Sequence, residues 1–435
     1  MNTTYHTIYN NIKRFTTQHI SLPSPWERGI VRTMCALGLG LWLPSSAQTL
    51  SLPQCLAIAS EHNLTLKQTD LQVARARTLQ GTAWDVDKTE LALSQDPTSG
   101  GSPDNALAVS QTIEFPTVYA ARHGQLKAET KAEESQRNVT AQQIRADITA
   151  AYYQLVYDRE RVHILASQDS LLARYADLAG KRYKAGETRQ LEVLTATRLL
   201  RENRMELAAA ESDLKAGQHS LAALIGIDAT ISPADTRLTT LAYQPREYVY
   251  AATAEGELAY NRLVVADKAV KVAKNGYAPS LSVALKNQLV ITGWDPYHEN
   301  RSRYSGGNFM GFEVGIGVPL FFGATKAKVK AAQQDREIAE LAMHQQQIAR
   351  QKDYDAALSR YTAAFNRLQY YDGQGAASAA EIVRLGTIEY ENGEISYIEY
   401  VNAMQEFVDT RMKRAAAISD YNQAVVALQR INGDI

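Results

Sequence analysis

Histidine and cysteine are the residues best suited to bind a metal or carry a nucleophile, and this 435-residue chain has eight and two of them. The histidines are His6, His19, His62, His123, His163, His219, His298 and His344. No two stand three or four residues apart, the spacing that would turn both toward one ion from a helix face. They read as scattered surface residues. Cys35 lies in a leader-like stretch, so the exported chain keeps only the thiol of Cys55 and has no internal disulfide. There is no phosphate loop of the G-x-x-x-x-G-K-[ST] type and no G-x-S-x-G elbow. Gly311, Gly315 and Gly317 alternate along a strand pattern and do not form a phosphate turn. The sequence therefore predicts no enzyme, no cofactor and no resident metal.

What remains is a pair of carboxylates in a duplicated setting. Arg182-Tyr183-Lys184-Ala185-Gly186-Glu187 runs on to Leu191-Glu192-Val193-Leu194, and Glu389-Tyr390-Glu391-Asn392-Gly393-Glu394 runs on to Ile398-Glu399-Tyr400-Val401. Upstream, Gln111-Thr112-Ile113-Glu114-Phe115-Pro116 parallels Val314-Gly315-Ile316-Gly317-Val318-Pro319. Two matches in the same order indicate an internal duplication.

The elements around these motifs are of two kinds. Four segments alternate with period two. The first, near Glu90 to Gln95, is the weakest. The second sets Leu107, Val109, Ile113 and Phe115 on one face. The third sets Leu281, Val283, Leu285, Leu289 and Ile291 there, and the fourth Phe312, Val314, Ile316, Val318 and Leu320. The opposite faces are small or polar, and Gln111 and Asn287 interrupt the apolar ones. Loops rich in Gly, Pro and Asp join the segments into two hairpins. The helical stretches are much longer. Val118 to about Arg182 contains no proline, and as one helix would run on the order of 100 Å. Ile144, Ile148, Tyr152 and Leu155 make a helical stripe. Val401, Val408 and Ala415 are spaced by seven, as are Met404, Arg411, Ile418 and Val425, with Arg411 alone breaking the pattern. Such spacing predicts helices supercoiled side by side.

Targeting and charge narrow the class. Arg28 and Arg32 precede the short apolar run Met34–Leu43, followed by Pro44-Ser45-Ser46-Ala47, which reads as a secretory signal over residues 1–47. A net charge of -1 gives no basic face for nucleic acid. Mean hydropathy of -0.31 excludes a multi-helix transporter. Two-faced strands suit either a soluble sandwich or an outer-membrane barrel, and an exported chain with hairpins set between long polar helices favours the barrel. Four strands cannot close a barrel that needs about eight, so several subunits must share one.

The duplicated motifs, the opening Leu50-Ser51-Leu52 with Asn63-Leu64, and Val318-Pro319-Leu320-Phe321 together resemble the TolC-like outer membrane efflux protein family over residues 51–435. Ser110–Thr117 further resembles its heavy-metal cation branch. The resemblance implies a mainly α fold with a membrane β-barrel. Long antiparallel coiled-coil helices would form an α-barrel, and four strands per chain would enter a twelve-stranded barrel in a homotrimer. The implied organisation is a first repeat over 48–228, an equatorial segment over 229–255 and a second repeat over 256–435. The implied function is an exit duct in the outer membrane, in contact with its lipid and extending into the periplasm. It would passively serve a periplasmic adaptor and an inner-membrane RND-type pump. A type I protein secretion duct, or a non-pore periplasmic coiled-coil adaptor, is the alternative. Pro116 and Pro319 fall at the strand-to-helix turns. Gly186, Glu187, Gly393 and Glu394 fall at hairpin tips that are either plain helix caps or also adaptor-docking points. Glu399 is either a solvated helix charge or a carboxylate narrowing the periplasmic entrance. Asn402 stands where the family often has a second acid. Trp294, Tyr297, Phe309, Phe321 and Phe322 are either an interfacial aromatic belt or ordinary packing.

Overall fold

The structure, a computed structural model, describes residues 48–96, 104–289 and 308–435. The expected signal segment and the readings placed on Ile291, Trp294 and Tyr297 lie outside the described residues.

Local chemistry sets the first elements. Strand β1 (Gln48–Leu50) leads into helix α1 (Leu52–His62), whose start is capped by Gln54 accepting from the Ser51 backbone N–H at 2.9 Å. Asn63 ends α1 and begins α2 (Leu64–Leu79): its Oδ1 accepts from the N–H groups of Thr65 and Leu66 at 2.9 and 3.1 Å, satisfying donors that a helix start leaves free. Its Nδ2 donates to the Leu224 carbonyl at 2.7 Å, fastening this junction to the end of the first repeat. Gly226 closes that end with φ +85°, and a Cβ there would lie 2.8 Å from the His62 carbonyl oxygen. Only glycine fits both the backbone and the space.

Strands β2 (Glu90–Asp96) and β3 (Asp104–Glu114) are followed by α3, one helix over Pro116–Lys184. Its 69 residues span roughly 100 Å at ~1.5 Å each. Pro116 is its first residue, where a missing N–H costs nothing. After α4 (Gln190–Ile225), strand β4 (Ile231–Pro233) pairs in parallel with β1. Helix α5 (Ala254–Lys274), strands β5 (Ser280–Leu289) and β6 (Asn308–Gly317), and helices α6 (Gly323–Tyr370), α7 (Ala376–Glu391) and α8 (Tyr397–Asn432) repeat the plan. The copies differ in their longest helix. Where α3 is continuous, its counterpart is broken between α6 and α7 by a π turn over Tyr371–Gly375, with Gly373 at φ -104° and ψ -105°.

Each repeat has its own core. The stripe Ile144, Ile148, Tyr152 and Leu155 is buried against Cys55, Leu221, Ile225 and Ile231. The second core is largely tyrosine: Tyr248, Tyr354, Tyr361 and Tyr421 with Val425 and Leu428. The inter-repeat chain packs on α8 and is tied down by Asn422, which is fully buried. Its Oδ1 accepts from the Leu241 N–H at 2.9 Å, and its Nδ2 donates to the Thr239 carbonyl at 2.8 Å. The heptad positions Val401, Val408, Ala415, Ile418 and Val425 are all buried, as their spacing predicts.

The fourth alternating segment differs from expectation at its end. Strand β6 stops at Gly317, whose partner Ser280 is the first residue of β5. Val318 therefore has nothing to pair with, and Pro319, lacking an N–H, could not extend the ladder. Five residues separate β6 from α6, against one between β3 and α3.

Candidate channel wall and periplasmic tips

The four long strands form one antiparallel sheet in the order β2-β3-β5-β6. The central pairing, β3 with β5, joins the hairpins of the two repeats. Directly opposed residues share a face, so the register sorts the side chains. Leu91, Val109, Leu285 and Phe312 form one row across the sheet, and Ile113, Leu281 and Ile316 another. This face is exposed in the single chain, with Phe312 at 80% and Leu93 at 78%. Gln111 interrupts it for a local reason. Its Nε2 donates to the Asp87 carbonyl at 2.7 Å and its Oε1 accepts from Thr89 Oγ1 at 2.6 Å, pinning the lead-in to β2. Nothing in the structure explains Asn287, whose Oδ1 is buried without a partner.

The opposite face is small and polar. Its rows are Glu90-Ser110-Ala284-Glu313, Thr112-Ser282-Gly315 and Glu114-Ser280-Gly317. A Cβ on Gly315 would approach Ser282 Oγ to 2.5 Å, and one on Gly317 would collide with Ser280 Oγ. Glycine thus leaves room for the serine directly opposite at these two positions. Lys286 and Glu313 form an ion pair there.

Aromatic rings gather where strands become helices. Trp84 stacks on Tyr119 with centroids 5.5 Å apart, and Tyr277 lies 5.8 Å from Phe322. Phe321 is 92% exposed. The sequence reading named Phe321 and Phe322 but missed Trp84, Tyr119 and Tyr277. Their position flanking the strand segments was the available signal.

At the far end, α3–α4 and α7–α8 close with the same turn. Gly186 has φ +78° and Gly393 φ +75°. The Glu187 N–H donates to the Arg182 carbonyl at 2.9 Å, and the Glu394 N–H to the Glu389 carbonyl at 2.8 Å. This is the six-to-one bond of a glycine-capped helix end. Glu192 and Glu399 both stand third in the following helix, yet their surroundings differ. Glu399 is exposed and closes a capping box: its Oε2 accepts from the Ser396 N–H and Oγ, both at 2.8 Å. Hydrogen bonding from the Ser396 backbone, then from its hydroxyl, holds the carboxyl below its usual range. Glu192 accepts from Thr188 with one oxygen, while the other is buried without a partner.

A tyrosine cluster unmentioned by the sequence reading joins the two tips. Tyr390 and Tyr400 stack 4.7 Å apart and nearly parallel. Tyr175 donates to the Tyr400 hydroxyl at 2.7 Å, and Arg182 Nη1 to the Tyr390 hydroxyl at 3.1 Å. Burial, reinforced by the charge of Glu192, pushes Tyr397 up to about 12. The excess of tyrosine in the composition was visible, but its destination was not.

No described helix is long and apolar enough to cross a membrane. The sheet instead has one apolar and one polar face, the pattern of an outer-membrane barrel wall, and it is mounted on very long helices. Comparison with known proteins agrees. Residues 259–434 match the family model described as outer membrane efflux protein. The cobalt-zinc-cadmium resistance protein CzcC of Cupriavidus metallidurans is 21% identical over 300 residues, covering 67% of this chain and 68% of that protein. Among solved structures, the outer-membrane channel OprN superposes with a TM-score of 0.72 at 20% identity, over 88% of this chain and 89% of its own. CusC superposes with a TM-score of 0.71 at 14% identity, over 91% and 95%. The open-state outer membrane channel MtrE of Neisseria gonorrhoeae does so at 0.69 and 17% identity, over 88% of each chain.

The second half of the chain is thus similar to the outer membrane efflux protein family, and the whole chain shares the fold of these channels.

Proposed function

We propose that three copies of this chain assemble into the exit duct of a tripartite efflux system. The observation that carries the proposal is the open sheet. Strands β2 and β6 each have one unpaired edge, and the exposed face between them is apolar. Unpaired edges are not tolerated in lipid, and three sheets of four supply the strands one closed barrel needs. The apolar face then meets outer-membrane lipid and the Gly/Ser/Ala face lines water. The long helices of repeats 48–228 and 256–435 continue the tube into the periplasm, with the 229–255 segment as an equatorial belt. Pro116 and Pro319 mark the turns from barrel to tube. The tips carrying Gly186, Glu187, Gly393 and Glu394 dock a periplasmic adaptor, and an inner-membrane RND-type pump supplies the energy. A non-pore adaptor would have no use for an exposed apolar sheet. Light scattering on the detergent-solubilised protein tests the assembly. A mass of three chains is expected, and a monomer overturns it.

The cargo that fits best is a divalent metal cation, supported by the likeness to CzcC. Among the described residues no three His, Cys, Asp or Glu side chains are grouped to hold a metal. A conduit needs none, since a tight site would slow release. Loss of the chain should raise sensitivity to zinc or cobalt, whereas raised sensitivity only to organic compounds points to a drug duct.

A further inference from the structure

Arg411, the residue that breaks the α8 heptad, does not face solvent alone. It lines a pocket of about 510 Å³ formed by α3, the inter-repeat chain and α8. Arg159, Arg237 and Arg414 line the same pocket, with His163 beside them and Glu160 as the one carboxylate on the wall. The floor is apolar, made by Ile164, Leu238, Ala415 and Ile418.

The arginines differ in how far they are already engaged. Arg414 Nε donates to Asp372 at 2.9 Å, so its charge is matched. Arg159 donates to the Pro233 carbonyl through Nη1 at 2.9 Å, but its Nη2 is buried with no acceptor. Among the described residues Arg237 and Arg411 have no ion-pair partner. Three guanidinium groups thus share a recess with one wall carboxylate. Like charges held this close favour an anion between them.

We propose that this equatorial pocket binds a compact oxoanion, with Arg237 and Arg411 as its donors and the charge of Arg159 beside them. The guanidinium fork matches the paired oxygens of phosphate or a carboxylate. Such a ligand would bridge the inter-repeat chain and α8 beside the charge of Arg159 on α3, tying the two repeats together at mid-length. The pocket is separate from the sheet and the tips, and the site does not depend on which cargo the duct carries.

The test uses the full-length protein in detergent, titrated with inorganic phosphate, with acetate, and with chloride at matched ionic strength. Calorimetry and thermal unfolding are the readouts. Phosphate or acetate should bind saturably and raise the unfolding midpoint where chloride does not. The arm that binds more tightly identifies the tetrahedral or the planar anion as the better ligand. Arg411→Gln should weaken that binding at least tenfold. Arg237→Gln, an exposed residue in the extended inter-repeat chain, should do the same and supplies a second variant if the helix change impairs folding. Arg198→Gln, on the exposed face of α4, should leave binding unchanged. Equal stabilisation by chloride, or parental affinity in both pocket variants, overturns the site.

Discussion

The hydroxyls of Tyr175 and Tyr400 lie 2.7 Å apart, and this bond joins α3 of the first repeat to α8 of the second close to the periplasmic tips. Removing it with Tyr175→Phe takes one buried hydrogen bond and leaves the ring packing. The expected loss is about 1 kcal/mol, read as a lower unfolding midpoint. Because the bond links the two hairpins, the variant should also show more frequent channel openings in a planar bilayer. A destabilised protein with unchanged gating would make this pair a packing feature only.

Alkaline pH should act on the tyrosine cores together. Burial pushes Tyr152, Tyr248 and Tyr421 up to about 12. In the unfolded chain a tyrosine ionises near pH ~10. Each native pKa is raised, so the stabilisation is whole below about pH 10 and is lost as pH climbs through the native values. Thermal midpoints should be level from neutral pH to about 9.5 and fall steeply above 10. A decline beginning near pH 8 would contradict this account.

Charge on the lipid-facing side of the sheet should prevent assembly. Val314→Arg places a guanidinium in the apolar row opposite Val283, costing roughly 2–4 kcal/mol if it lies near the midplane. Glu313→Gln, one residue away, changes the crowded polar face and should leave the oligomer intact. Equal oligomer loss in both variants would remove the assignment of faces.

Glu399 offers a cleaner test than its repeat-mate. Glutamine also serves at the third position of a capping box, so Glu399→Gln removes the charge and keeps the helix start. At low salt the change should reduce cation over anion selectivity in single-channel recordings, with a smaller effect at high salt because screening shortens to a few ångströms. The effect should be modest, since Asn402 supplies no second charge. The carboxyl is held below its usual range, so its charge, and the cap it stabilises, is present above about pH 4.3 and fades as pH falls through the lower native value. Selectivity should therefore be constant from pH 8 to 5. Glu192→Gln, beside the tyrosine cluster, should alter stability more than selectivity.

The tips can be tested without disturbing the fold. Glu187→Lys together with Glu394→Lys should abolish co-purification with the cognate adaptor while the unfolding free energy stays within about 0.5 kcal/mol of the parent. Undiminished adaptor binding would leave the glycine turns as helix caps alone.

Much of this was legible from periodicity. The helix from Pro116, the buried stripe from Ile144 to Leu155 and both hairpins follow from spacing that local burial enforces. The glycine turns were legible because the motif occurs twice. Three features were not. The β3–β5 pairing and the β1–β4 pair join segments far apart in sequence, and no local pattern specifies which strands meet. The break at Gly373 has no echo in the first repeat, so the duplication argued against it. The contrast between Glu192 and Glu399 begins with the local partners Thr188 and Ser396, but the burial of Glu192 beside Tyr397 of the other repeat needs the folded chain.

The β3–β5 pairing carries a consequence for the order of events in biogenesis. Asn105 meets Leu289 and Glu114 meets Ser280, so the seam of the sheet cannot close until most of the chain is present. Contacts this distant form late, after helices whose bonds are local. A chain that ends before β5 therefore has no continuous apolar wall, only the narrow ribbon of β2 and β3.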